Sequence, residues 1–206
     1  MVNKRFVILS SIIANNLYVI TGPEGAGKTT LIEELKKRGM HVISESTRDV
    51  WRYQNRIDGR NIAFLSDNDV EKTTYFEMSL ALDMRMYDDC ANMDEIYVLD
   101  RAMPDLAIFM EFLNTPMIKH IDRAIRMHRY NPLVFLAPFW REIYTYDSER
   151  FSSLEQAESQ EKICYDTYIK YGYNPIILPK VSVRERADFV MKYIFSDQVA
   201  RMISIN

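Results

Sequence analysis

The stretch Gly22-Pro23-Glu24-Gly25-Ala26-Gly27-Lys28-Thr29 decides how the rest of this chain is read. It fills the pattern G-x-x-x-x-G-K-[ST] completely. The apolar run Leu17–Thr21 before it reads as a strand. Lys28–Arg38 after it reads as a helix, with Leu31, Ile32 and Leu35 on one face and Gly39 as its stop. Three of the chain's six glycines fall within residues 22–27, where they let successive backbone N–H groups turn inward toward phosphate oxygens. Lys28 is then expected at the β- and γ-phosphates and the Thr29 hydroxyl on Mg²⁺. The positive end of the following helix faces the same anion. At average residue usage the four fixed positions match by chance in about one chain in a hundred, and the strand and helix around them lower that further. Gly22 through Thr30 are therefore the expected nucleotide-binding residues.

The chain has 206 residues, 48% hydrophobic and 27% charged, enough for one domain with a full core. A net charge of −3 and a pI near 5.7 argue against nucleic acid as partner, since that needs a basic field. Two cysteines make no disulfide framework, which points to the cytoplasm. Lys4 and Arg5 precede an apolar run, Phe6 to Ala14, that is too short to span a bilayer. It is read as an appendage, residues 1–16, forming an extra strand or helix on the edge of one domain, 17–206. No run of eighteen apolar residues occurs, so an integral membrane protein is not expected.

Five short apolar runs, Leu17–Thr21, His41–Ser44, Ile96–Leu99, Leu133–Ala137 and Asn174–Leu178, alternate with helical patterns, as in an α/β domain with a parallel sheet. The long connection from the second strand to the third holds Thr47–Tyr53, a polar turn around Asp58-Gly59 and an expected helix, Asp69–Met93; further helices are expected over Pro104 to about Asn114 and Met117–Arg129. Two more start at the capping-box spacings Ser152-x-x-Glu155 and Ser182-x-x-Glu185 and run to about Gly172 and Ser196. The basic residues Lys119, Arg123 and Arg126 share one helical face, read as a solvated surface. His41, His120 and His128 lack metal-ligand spacing with Cys90 or Cys164.

Ligands of open parallel sheets sit outside the carboxyl ends of the strands. Glu45 follows the second strand and Asp100 ends the third, so both are expected beside the phosphate loop. Asp100 closes the run Ile96-Tyr97-Val98-Leu99, the form of a Walker B acid that holds Mg²⁺ directly or through water. Glu45 is placed to accept or orient the proton of an attacking hydroxyl, or else pairs with Arg48. Arg101 either holds a phosphate or pairs with a carboxylate. Arg48 and Arg101 join Glu45 as candidate substrate contacts.

Thr21–Thr30, Glu45-x-x-Arg48-Asp49, Leu99-Asp100-Arg101-x-x-Pro104-Asp105 and Pro132–Tyr144, continuing through Asp147 and Glu149-Arg150, together resemble one family. It is the small AAA-named group of P-loop ATP-binding domains that includes nicotinamide riboside kinase domains of the NadR type. The resemblance spans about residues 17–195. It implies a nucleoside-kinase-like three-layer α/β sandwich with a five-stranded parallel sheet in the order 2-3-1-4-5. It also implies a lid at about residues 139–150 whose arginines, Arg141 and Arg150, close on the triphosphate. Those two lie nine positions apart, farther than in many small-molecule kinases.

The expected function is Mg²⁺-dependent transfer of the ATP γ-phosphate to a small nucleoside-like acceptor. Lys28, Glu45, Asp100 and Arg141 would carry the catalysis. The alternative is a non-kinase ATPase or a nucleotide-gated switch acting on a protein or membrane partner. A pocket lined by Glu45, Arg48 and residues of Thr73–Arg85 would favour the kinase.

Overall fold

The computed structural model describes residues 13–58, 69–144 and 154–204. Its main sheet has five strands, all parallel: β2 (Leu17–Thr21), β3 (His41–Ile43), β4 (Tyr97–Asp100), β6 (Leu133–Leu136) and β7 (Asn174–Ile177). They lie in the order β3-β4-β2-β6-β7, which is the expected 2-3-1-4-5. Val19 of β2 is in register with Leu99 of β4 on one side and Val134 of β6 on the other. Every residue of β2 is buried because this central strand is covered on both faces.

The alternation of β2 divides the core in two. Leu17 and Val19 face a layer built from α2 (Ser46–Asp58), α3 (Asp69–Cys90), α4 (Met103–Phe112), α5 (Lys119–Met127) and α6 (Leu154–Lys170), where Phe76, Leu106 and Ile121 are fully enclosed. Tyr18 and Ile20 face the opposite layer, where Leu31 and Leu35 of α1 (Lys28–Lys37) meet Val190 and Ile194 of α7 (Val183–Ser204). The two helices of that layer are joined by Arg38, whose guanidinium donates to Asp188 and to the Arg184 carbonyl.

Residues 13–16 are tied to the domain. Ile13–Ala14 (β1) pairs in parallel with Arg129–Tyr130 (β5), and the Asn16 amide donates to the carbonyls of Cys90, Met93 and Glu95 at 2.9–3.1 Å.

Helix bounds differ from expectation mostly through non-local contacts. α7 runs to Ser204 rather than Ser196 because its last turns carry Asp197, Gln198 and Arg201. The Tyr18 hydroxyl donates to Asp197 at 2.6 Å and accepts from Gln198 at 2.7 Å, while Arg201 pairs with Asp197 at 2.8 Å. The Ser182–Glu185 capping box closes reciprocally, Glu185 N–H donating to Ser182 Oγ and Ser182 N–H to Glu185 Oε2. Ser152 of the other expected box, and residues 145–150 of the expected lid, Arg150 among them, lie outside the described residues. Among the described residues no helix is long and apolar enough to cross a membrane.

Candidate active site

The phosphate loop leaves β2 at Thr21 and enters α1 at Lys28. Gly22 sits at φ 136, and a Cβ there would lie 2.2 Å from the Ala137 carbonyl oxygen. Only glycine lets the loop cross so close to the end of β6. At the other end Gly27 caps α1 with no side-chain hydrogen bond, and the helix has no acid in its first turn. Its first N–H groups are thus left for an anion.

Lys28 is 8% exposed. Its Nζ donates to the carbonyls of Gly22 at 2.9 Å and Pro23 at 2.7 Å. Burial, and then the nearby Arg101 charge, lower its ammonium to about 8 against the pull of Asp100 and Glu45. Thr29 and Thr30 are exposed beside it. A cavity of about 80 Å³ is lined by this loop together with Glu45, Arg48, Asp100 and Arg101.

The opposite wall is a chain of ions. Glu45 Oε1 accepts from the Thr47 hydroxyl at 2.6 Å and lies 3.2 Å from Arg101 Nε, while Oε2 lies 3.6 Å from Arg48 Nε. Burial alone would raise this carboxyl, but the Arg101 and Arg48 guanidiniums and the Thr47 hydrogen bond hold it below its ordinary value. Arg101 adopts φ 68, an uncommon backbone region for a residue with a side chain. Two contacts fix it there: its N–H donates to the Ile20 carbonyl at 2.9 Å, and its Nη1 donates to Asp105 Oδ1 at 2.9 Å. Its guanidinium also packs 4.9 Å from the centre of the Phe109 ring.

Asp105 closes the stretch Leu99–Asp105, whose sequence assigns it no role. It is fully buried, and it accepts from Arg101, from the Thr21 hydroxyl at 2.6 Å, from the Ala102 N–H at 3.0 Å and from the Tyr168 hydroxyl at 2.6 Å. These bonds link the last residue of β2, the turn after β4 and α6 through one carboxylate. Asp105 falls in the first turn of α4, and its sequence neighbours alone say nothing of Thr21 or Tyr168.

Asp100 is buried, and its Oδ1 has no hydrogen-bond partner. Burial, and then the Glu45 carboxylate, raise its carboxyl to about 6, against Lys28 and Arg101. A second cavity, about 230 Å³, adjoins Glu45, Arg48 and Asp100 and takes its walls from α1, β3 and α2, including Ile32, Val42 and Arg52. Residues of α3 do not line it. They support α2 from behind instead: Tyr75 donates to the Thr47 carbonyl at 3.1 Å, and the buried Asp83 is hydrogen-bonded to Ser46.

Arg141 is exposed, at the start of a 3₁₀ turn, Arg141–Ile143. Beside it, Trp140 meets an arginine that sequence reading missed. Arg186 of α7 lies 5.7 Å from the Trp140 ring, and its Nη1 donates to the Ala26 carbonyl of the phosphate loop at 3.2 Å. It is separated from that loop by 160 positions, so no local pattern could have placed it. Arg126, from the basic helix face, is bound bidentately to Asp122 and stacks over Tyr171. Among the described residues no group of three or more His, Cys, Asp or Glu forms a metal cluster.

Solved structures similar to this chain include kinases of small metabolites. The deoxyadenosine kinase of M. mycoides superposes with a TM-score of 0.64 at 16% identity, covering 87% of this chain and 99% of that one. A structure of NadR in complex with NR gives 0.61 at 18% identity over 86% of this chain, which spans about half of NadR (51%). Thymidylate kinase from Candida albicans gives 0.59 at 11% identity, covering 88% and 92%. At such identities the likeness is one of fold. No curated protein matches the sequence. The family model described as an AAA domain matches residues 17–186, from the first residue of β2 to the arginine behind the phosphate loop, and the chain belongs to that family.

Proposed function

We propose that this chain is a cytoplasmic kinase that transfers the γ-phosphate of ATP to a hydroxyl of a small nucleoside-like acceptor. The observation that carries the reading is Glu45, held ionised between Arg101 and Arg48 at the rim of a cavity whose other wall is the phosphate loop. A phosphate loop alone binds a nucleotide. A carboxylate fixed opposite it gives a second reactant something to dock against.

In this reading the loop N–H groups and Lys28 hold the β- and γ-phosphates, Lys28 exchanging its two carbonyl partners for phosphate oxygens. The acceptor hydroxyl donates to Glu45 and attacks the γ-phosphorus in line. The bond to the β-bridging oxygen breaks and ADP leaves. In a loose transition state the hydroxyl loses its proton late, so a low-pKa carboxylate serves first to orient the hydroxyl and then to take the proton. Arg101 keeps that carboxylate ionised, and Asp105 keeps Arg101 in place. Arg48 borders the acceptor side, and Arg141 and Arg150 would meet the transferred charge on lid closure.

The residues also fit a magnesium ion. Asp100 Oδ1 is an orphaned buried oxygen, and Thr29 lines the same cavity. Together they would hold Mg²⁺, which neutralises phosphate charge when bound.

The switch reading has one observation on its side. The last turns of α7 expose Phe195, Val199, Met202 and Ile203 on the surface, where a protein partner would find an apolar face. The test of the kinase reading is ATP consumption against a panel of nucleosides and vitamin-like ribosides, with ³¹P detection of product. At least one acceptor should raise turnover and appear as its phosphate monoester. If none lifts consumption above a slow basal hydrolysis, the kinase reading is wrong.

A further inference from the structure

Arg186 carries a charge that nothing among the described residues balances. It is 5% exposed, and among the described residues no carboxylate lies within ion-pair distance of it. Its Nε has no hydrogen-bond partner, and among the described residues the guanidinium donates to the neutral Ala26 carbonyl. It also stands in the first turn of α7, whose dipole disfavours a cation. The acid beside it, Glu185, is engaged by Ser182. Burial lowers the guanidinium from its ordinary value, and among the described residues no anion opposes that shift. A buried, unpaired charge is strongly destabilising in a resting protein. Arg101, by contrast, is equally buried and has two carboxylates.

The location says what the counter-ion is. A Cβ on Gly27 would stand 3.1 Å from both terminal nitrogens of Arg186, so the guanidinium lies directly behind the phosphate loop. In a trans peptide the C=O and the following N–H point opposite ways. With its carbonyl held by Arg186, the Ala26–Gly27 peptide has its N–H on the side away from the guanidinium and is polarised toward an anion there.

We infer that Arg186 is a positioning residue for the nucleotide polyphosphate: it aims the Gly27 N–H at a phosphate oxygen, and the bound polyphosphate supplies the negative charge that the guanidinium lacks. This rests on the reading that the loop takes a nucleoside triphosphate. It extends the site to a residue of α7, on the far side of the loop from Lys28.

The test compares wild type, Arg186→Met and Arg186→Lys in two measurements. The first is melting temperature without nucleotide. The second is affinity for ATP and for inorganic tripolyphosphate, both by calorimetry. Methionine keeps the apolar volume beside Trp140 and removes the charge. Its nucleotide-free melting temperature should equal or exceed that of wild type, while affinity for both ligands should fall about 10- to 100-fold. Lysine, charged but without the fork, should recover part of that loss. The inference is overturned if Arg186→Met binds both ligands as wild type does. It is equally overturned if the variant melts earlier without nucleotide, or if only ATP binding weakens, since the residue would then serve packing or the base. If wild type itself binds neither ligand, the phosphate-loop reading fails first and this inference with it.

Discussion

Among the described residues, Lys28 and Arg186, on the phosphate-loop side of the cleft, donate only to main-chain carbonyls, whereas Arg101 on the facing side lies between the carboxylates of Glu45 and Asp105. The cations of one wall thus have no described carboxylate hydrogen-bonded to them, and Arg101 of the other is already paired. Under the proposed function a polyanion would complete the first wall, and a neutral, hydroxyl-bearing molecule would suit the second, where a further charge would disturb a balanced network. The difference also separates binding from transfer: damage to the first wall should remove nucleotide affinity, and damage to the second should spare it.

The largest effect that would break this contrast is at Lys28. Lys28→Ala should reduce turnover by about 10³-fold or more, in line with the loss of a preorganised charge at developing phosphate charge. The fold should survive, because among the described residues the ammonium bonds only to loop carbonyls. Steady-state ATP consumption alongside a thermal melt checks both halves, and full activity in the variant would remove the phosphate wall from the account.

On the facing wall, Asp105→Ala should act mainly on stability. It strips Arg101 of one carboxylate and orphans the Thr21 and Tyr168 hydroxyls, a loss of about 3–5 kcal/mol by the usual penalty for breaking a buried pair. Denaturant unfolding would show it. A drop below 1 kcal/mol would mean that the network is not what holds Arg101 in its left-handed conformation.

Smaller effects should follow at the metal candidates. Thr29→Ala and Asp100→Asn should each raise the Mg²⁺ concentration needed for half activity, with the nucleotide saturated. An Asp100→Asn enzyme with wild-type metal dependence would make Asp100 a structural acid.

The smallest concerns Asp83, behind α2. Burial raises its carboxyl to about 7; the Ser46 hydrogen bond lowers it, and the charges of Asp105 and Glu45 raise it. Buried Tyr130 also lies near it. A folded value above the unfolded one near 3.9 means that the native state binds the extra proton. Its stabilising share is complete below about pH 4 and is lost as pH climbs to about 7. Asp83→Asn stays neutral, so its melting temperature should gain on wild type between pH 5 and pH 8, by about 2–4 °C for each kcal/mol of the share that wild type loses. A constant difference across that range would contradict the assignment.

The two walls also differed in how far they could be read from the sequence. The phosphate loop is contiguous, so its chemistry is written in nine adjacent residues. Strand ends are nearly as legible, and Glu45 and Asp100 follow from the rule that ligands gather at the carboxyl edge of a parallel sheet. What was not legible is whatever the fold assembles across distance. Asp105 bonds Thr21 across 84 positions, and Arg186 reaches Ala26 across 160. The alternatives for Arg101, phosphate or carboxylate, were undecidable before Asp105 had a place. Helix α7 ran past its expected end for the same reason, since Asp197 and Gln198 answer to Tyr18 at the other end of the chain.

Glu45→Gln is the measurement that bears most directly on the division between the walls. The amide keeps the size of the carboxylate and removes the proton acceptor. ATP affinity should stay within about threefold of wild type, as Glu45 stands on the acceptor wall. Transfer to the best acceptor of the panel should fall by about 10²–10⁴-fold, the range of a positioned acid or base, and basal hydrolysis in the same preparation should fall far less. Transfer and hydrolysis that decline together, or not at all, would contradict the account.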